Sequence, residues 1–414
     1  MPSPAVFCID HEVNHLDKTK ELDLSEQNGS DIREKKKYSP LQACGFYLKI
    51  GLAVVSVVAS ISILANMLLA VGNGNGSVVG GINGAAIMDR FDMFMTNQVS
   101  NALEGVLNIE KIYWLSDADL VAPKPKQENY GAASSAEELA WLIEAAEPLL
   151  DGQELLFGPE RPIWPDDQIY YYFDETILVL TWKELRNNTV YTISEVKIAH
   201  PSQFRRFLAD GEFGSDKQYI TTEMAQNVNS VVASSGDFYK HRYYGIVVYE
   251  REIKRSEFEH VETCYINDDG DLLFSHKGQF TTEHEAQEFV DENNIRFSLA
   301  FGPILIENGV NVAPGSYMLG EIDGMYSRMA LCQKDDLHYL LVNATAEYAH
   351  HQRITIWDFA RTLESFGCDM AYTLDGGQTT VITMQGETIN HVDYEFQRQI
   401  SDIIYFATAL PDGE

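Results

Sequence analysis

Apolar positions keep three different rhythms along this chain. Residues 50–71 carry no charge. That run of about 22 residues makes ~33 Å of helix against a hydrocarbon core of ~30 Å, and predicts a single transmembrane helix. Residues 72–84 are rich in glycine and asparagine and read as a flexible linker. Phe91, Phe94, Met95, Val99, Leu103 and Val106 then recur at helical spacing. They predict an amphipathic helix over 88–107, suited to packing between subunits or against the domain. Ser134 and Glu138 open a further helix that runs into Leu139, Leu142, Ile143 and Ala146.

From about Gln168 the rhythm is that of short strands. They are expected at 169–173, 177–182, 190–198, 231–233, 244–249, 339–342, 370–374 and 403–406, with Asp268-Asp269-Gly270 closing a hairpin. Helices are expected at 201–208, 222–227, 282–290 and 354–366. Strands dominate, and the helices fall between them without regular alternation. The expected fold is therefore α+β: a mixed, largely antiparallel sheet domain over 166–414 with scattered helices. A cytoplasmic tail (1–49), a transmembrane helix (50–71) and a Gly-rich linker with a helical stalk (72–165) precede it.

Composition refines this picture. An apolar content of 45% and an aromatic content of 11% are those of a folded chain. The net charge of −32, with no basic stripe, argues against nucleic acid as a partner. An anionic substrate then needs a local cluster of cations. Lys35, Lys36, Lys37 and Lys49 precede the apolar run, and the first charges after it are Asp89, Arg90 and Asp92. The positive-inside rule puts the N-terminus in the cytoplasm and the C-terminal bulk outside the cell membrane, with the bilayer contacting residues 50–71. Protease added to intact cells is expected to remove that bulk; its survival until lysis would reverse the orientation. Cys264, Cys332 and Cys368 allow at most one disulfide beyond the span. No cysteine–histidine spacing predicts a metal site, and no cofactor is expected.

Candidate chemistry gathers where strands end in glycine, acid or arginine. Met370-Ala-Tyr-Thr-Leu374 stops at Asp375-Gly376-Gly377, and a second β-prone run follows from Thr379 to Met384. The pattern predicts a turn between two strands. Two glycines leave backbone N–H groups open to a ligand, and a carboxylate at a strand end is aimed by a rigid element. Three other segments share this texture. They are the stretch ending in Ser235-Gly236-Asp237-Phe238-Tyr239, the block from Phe301-Gly302-Pro303 to Gly309, and Ser327-Arg328-Met329-Ala330 with Gln333.

Taken in order with the closing Arg398-Gln-Ile-Ser-Asp402, these blocks resemble the phosphodiester glycosidases. The chain departs from the family pattern at Ser235, at Gln378 and at Asn343-Ala344-Thr345. The resemblance implies a hydrolase that cleaves between a sugar anomeric carbon and a phosphodiester oxygen, on cell-surface or secreted glycans. Phosphate is a good leaving group, so the site needs an anion clamp and a carboxylate that attacks or activates water. Arg328 is the expected clamp, because its planar fork meets phosphate oxygens in a bidentate way. Asp237 and Asp375 are the expected carboxylates. Ser235, Gly236, Arg242, Gly376, Gly377 and Gln378 are the expected substrate-binding positions. The expected partners are a phosphorylated glycan or sugar phosphodiester, the bilayer, and a second copy of the chain through the stalk helix. The rival reading is a non-catalytic module for polysaccharide binding or for exopolysaccharide assembly and export.

Overall fold

Period-two alternation of side chains builds the scaffold. In chain order the first strands are β1 (Tyr130–Ala133), β2 (Ile169–Asp174), β3 (Ile177–Arg186), β4 (Thr189–Ile198), β5 (Phe204–Leu208), β6 (Val232–Ser235), β7 (Ile246–Tyr249) and β8 (Glu252–Ser256). Then come β9 (Thr263–Asn267), β10 (Leu272–Ser275), β11 (Ile295–Leu299), β12 (Ile304–Glu307), β13 (Val310–Asn311) and β14 (Arg328–Asp335). The last are β15 (His338–Thr345), β16 (Met370–Leu374), β17 (Ile382–Met384), β18 (Glu387–Thr388) and β19 (Asp402–Phe406). The α-helices are α1 (Ala140–Leu150), α2 (Thr221–Asn227), α3 (Glu283–Glu292) and α4 (Ile356–Ser365). This computed structural model describes residues 114–117, 121–158, 161, 168–317 and 324–411. The expected tail, the span at 50–71, the linker and the helix at 88–107 lie outside the described residues. Among the described residues no helix is long and apolar enough to cross a membrane.

Nine strands form one sheet, in the order β1-β2-β3-β4-β15-β14-β16-β12-β13. Five form a second, β18-β17-β6-β19-β5, while β10-β9-β11 and β7-β8 form smaller ones. All of these pairings are antiparallel. On one face of the large sheet Leu180, Trp182, Ile193, Ala330 and Cys332 pack with Leu142 and Ala146 of α1 and with Phe359 and Leu363 of α4. On the other, Val179, Val196, Met329, Leu331 and Leu374 pack with Val232, Ile382 and Phe406 of the second sheet and with Cys264 and Phe297. The main core is thus a helix layer, a sheet and a second layer of sheets.

Two expectations change. Residues 201–208 are a 3-10 turn (Pro201–Gln203) followed by β5, not a helix, because β5 pairs with β19 along its length. The expected turn at Asp375-Gly376-Gly377 does lie between two strands, and since β16 is in the nine-stranded sheet and β17 in the five-stranded one it carries the chain between layers. The folded unit also takes in part of the expected stalk. Here β1 pairs with β2, setting Tyr130 opposite Tyr172, and α1 fills the first face of the core. Cys264, Cys332 and Cys368 are buried free thiols.

Candidate active site

Antiparallel pairing of β14 with β16 sets Met329 opposite Leu374, so the start of β14 and the end of β16 meet at one edge. Arg328 opens β14 and Asp375 directly follows β16. Two distant stretches of sequence therefore deliver an arginine and an aspartate to the same place. The turn is fastened there. Gly377 donates its N–H to the carbonyl of Ser327 at 2.8 Å and holds φ at 65°. A Cβ on Gly376 would lie 2.8 Å from that same carbonyl. Close approach demands the first glycine and left-handed backbone favours the second.

Around this edge lies a cleft of about 230 Å³, lined by Arg242, Arg328, Asp375, Gly376, Gly377 and Arg398 among others. Among the described residues, three guanidinium groups thus share the lining with one carboxylate in a chain of net charge −32. Each arginine stacks on an aromatic ring: Arg242 on Phe301 at 4.1 Å, Arg328 on Tyr326 at 5.2 Å and Arg398 on Phe238 at 5.1 Å. Stacking fixes the guanidinium planes. Some donors are already engaged. Arg328 Nη2 donates to the carbonyl of Gly324 at 2.7 Å and Nε to that of Ile354 at 3.3 Å. Arg242 Nη1 donates to the carbonyl of Phe301 at 3.2 Å.

Asp375 is buried, with Arg398 Nη2 2.5 Å from its Oδ2. Burial pushes its carboxyl above the usual aspartate range, and Arg398 and Arg242 oppose that rise without cancelling it. A carboxyl so perturbed, in a cleft and beside cations, has the character of a catalytic group.

The other sequence-predicted residues sit elsewhere. Asp237 does not line the cleft. Its Oδ1 lies 2.9 Å from Arg206 Nη2 and accepts the N–H of Tyr239 at 2.8 Å; its Oδ2 accepts the N–H of Ala300 at 2.7 Å. Its neighbour Phe238 lines the cleft instead. Arg206 also pairs with Asp402, 2.8 Å from Oδ2, and donates to the carbonyl of Ser298. This makes a fully buried set of one arginine and two aspartates joining β5, β6 and β19. Burial and the charge of Asp237 push the Asp402 carboxyl up, against the pull of Arg206. Ser235 is buried outside the cleft lining, and Gly236 donates its N–H to the carbonyl of Asp402 at 3.1 Å. Gln378 donates from Nε2 to the carbonyl of Phe396 at 3.1 Å. Lys240 turns to the carbonyl of Ser215 and His241 to Gln218. Arg398, Tyr326 and Tyr317 line the cleft without having been singled out; Arg398 stood in the closing block Arg398–Asp402. Among the described residues Glu257, Glu259 and His260 are close enough to share a cation, but none lines the cleft.

Comparison with known proteins adds to this geometry. Residues 228–407 match the family described as phosphodiester glycosidase, which bears out the resemblance drawn from the sequence blocks. An uncharacterised SPbeta prophage-derived protein of Bacillus subtilis is 23% identical over 209 residues. That alignment takes in 49% of this chain, which spans only 31% of the relative's length. The catalytic domain of zebrafish N-acetylglucosamine-1-phosphodiester alpha-N-acetylglucosaminidase is similar at 14% identity and a TM-score of 0.46, over 70% of this chain and 99% of that one. A hypothetical protein from Synechocystis is similar at 12% identity and a TM-score of 0.42, over 58% of this chain and 64% of that one.

Proposed function

We propose, from the premise that residues 228–407 match the phosphodiester glycosidases, that this protein hydrolyses a sugar 1-phosphodiester at the anomeric C–O bond. One observation carries the reading: Arg242, Arg328 and Arg398 line the same cleft as the buried carboxyl of Asp375. A phosphodiester carries a single negative charge, which the guanidinium groups offset as it enters. As the anomeric C–O bond breaks, the electron pair leaves with the phosphate, and the same arginines stabilise the growing charge. Phosphate departs without a general acid. Asp375 serves the anomeric carbon, either bonding to it or taking the proton of the water that does. The domain works outside the cell, on surface or secreted glycans, held by the anchor expected at 50–71 and paired through the helix expected at 88–107.

The test is release of phosphate monoester from a sugar 1-phosphodiester by the full chain. Asp375 must be ionised to act, so kcat/KM is expected to fall on acidification, along a limb above the ordinary aspartate value of 3.8. Arg398 opposes the rise in the Asp375 pKa, so Arg398→Gln is expected to move that limb to higher pH. Absence of monoester at every pH, or a limb that Arg398→Gln leaves in place, would refute the assignment.

A second reading has its own observation. Two-carboxylate glycosidases place both acids at the bond they break, whereas among the described residues Asp375 is the one acid in the cleft lining. This favours a module that binds phosphorylated polysaccharide without cleaving it, or one that serves exopolysaccharide assembly and export. Saturable binding of the diester with no monoester released would establish that reading instead.

A further inference from the structure

Asp393 is a buried carboxylate with no part in the chemistry above, and it is not among the residues that line the cleft. It takes donors from two other segments. Ser327 Oγ donates to it, 3.0 Å from each carboxylate oxygen. Arg353 donates from Nε to Oδ2 at 3.1 Å and from Nη2 to Oδ1 at 3.0 Å. A hydroxyl has one proton to give, and Thr345 Oγ1 lies 2.9 Å from Ser327 Oγ. With Thr345 donating to Ser327, the Ser327 proton goes to Asp393. A carboxylate only accepts, which suits donors on both sides; an amide there would turn N–H groups toward one of them.

Each segment joined at Asp393 supplies part of the catalytic edge. Ser327 precedes Arg328, and its carbonyl takes the N–H of Gly377 at 2.8 Å. Arg353 precedes Ile354, whose carbonyl accepts from Arg328 Nε and from the N–H of Tyr326. Arg328 stacks on the ring of that same tyrosine. Asp393 itself leads along 393–398 to Arg398, the partner of Asp375. That path starts with two left-handed residues, Tyr394 and Glu395, each at a φ of 64°. Residues with a Cβ seldom adopt this backbone unless the surroundings hold it there. Asp393 anchors the start of the path, and Gln397 anchors its end by donating to Thr388 Oγ1 at 2.8 Å.

We propose that Asp393 is a positioning residue for the hydrolysis: its carboxylate sets the placing of Arg328, Arg398 and the Asp-Gly-Gly turn around Asp375. The proposal rests on the reading of the cleft as a sugar phosphodiester site. Asp393 acts through Ser327 on Arg328 and the turn, and along 394–398 on Arg398. A merely structural ion pair would stabilise the fold and leave the chemistry alone, so the two roles differ in what they move. Displacing a reacting group by about 1 Å can cost on the order of a hundredfold in rate. Arg398 also opposes the rise in the Asp375 pKa, and an Arg398 that drifts from Asp375 opposes it less. Loss of the anchor therefore has two signatures: slower turnover, and an acid limb at higher pH.

The test is Asp393→Asn in the full chain, assayed across pH for monoester release from the methyl diester of glucose 1-phosphate, with thermal melts alongside. Asn keeps the shape and removes the charge that holds Arg353, a partly exposed side chain that can turn to water. kcat/KM is expected to fall by about ten- to a hundredfold, with the acid limb moved to higher pH. In an Arg398→Gln background the same substitution should move the limb no further, because its effect on Asp375 runs through Arg398. Ser327→Ala removes the hydroxyl and keeps the carbonyl that holds Gly377. It should shift the limb the same way to a smaller extent, and it decides the matter if Asp393→Asn fails to fold. A limb left in place, whatever the melting temperature, overturns the proposal, and so does a limb that moves equally far in the Arg398→Gln background. Binding of the diester in a calorimeter with no monoester released would remove the hydrolase. In that case about tenfold weaker binding by folded Asp393→Asn keeps the anchor, and equal binding removes it. A wild type that neither binds nor cleaves the diester removes both.

Discussion

Asp375→Asn is expected to lower kcat/KM on a sugar 1-phosphodiester by about a thousandfold or more while the protein stays folded. Asn has nearly the shape of Asp and can still accept from Arg398, so the substitution removes charge and basicity more than structure. Stability should move the opposite way. Burial holds the Asp375 carboxyl above its ordinary range. A group whose folded pKa is raised contributes stability below its unfolded pKa, and that contribution is lost as pH rises through the folded value. At neutral pH the ionised carboxylate therefore weighs against folding, and Asn relieves that burden. Thermal melts should show Asp375→Asn at least as stable as the wild type near neutral pH, with the difference shrinking as the solution is acidified. An Asn variant that keeps more than about a tenth of wild-type kcat/KM would remove Asp375 from the chemistry.

Arg206→Met carries the largest expected effect on stability, a loss of about 3–5 kcal/mol. Arg206 bridges Asp237 and Asp402 with all three side chains fully buried. Removing the cation strands two carboxylates in a medium that cannot solvate them. Replacing an entire buried ion set by apolar groups can be neutral, but removing one partner is not. The deficit should also depend on pH. Burial already pushes Asp402 up, and its stabilising contribution is lost as pH rises through the folded pKa. Without Arg206 that rise is larger, so the variant recovers part of its stability as acid neutralises the pair. Urea unfolding at pH 5 and pH 8 checks this, with the larger deficit expected at the higher pH. A loss under about 1 kcal/mol at both would show that the set does not hold β5, β6 and β19 together.

The fold was readable where short apolar runs are bounded by turn residues. Residues 370–374 and 403–406 lie within β16 and β19 and are nearly continuous apolar runs, the pattern of a strand buried on both faces. The stretch 204–208 misleads for a physical reason. Phe204, Phe207 and Leu208 stand at helical spacing, yet pairing with β19 and burial of Arg206 against two aspartates decide the matter. No local rule announces a buried arginine whose partners lie far along the chain. The same limit applies to the site. Arg242, Arg328, Asp375, Gly376 and Gly377 sat in strand-end blocks and meet in one cleft. Asp237 sat in such a block too, but past the end of β6 Phe238 lines the cleft while Asp237 pairs with the buried Arg206. Arg398 is 23 residues from Asp375, and only the folded turn brings them to 2.5 Å.

Hydrolysis of a sugar 1-phosphodiester in water enriched in the heavy oxygen isotope reads out directly which bond this cleft breaks. Mass spectrometry of the products should find the heavy oxygen on the anomeric hydroxyl of the released sugar, with the phosphate monoester unlabelled. Label in the phosphate would mean attack at phosphorus, and would contradict the placing of the anomeric carbon beside Asp375.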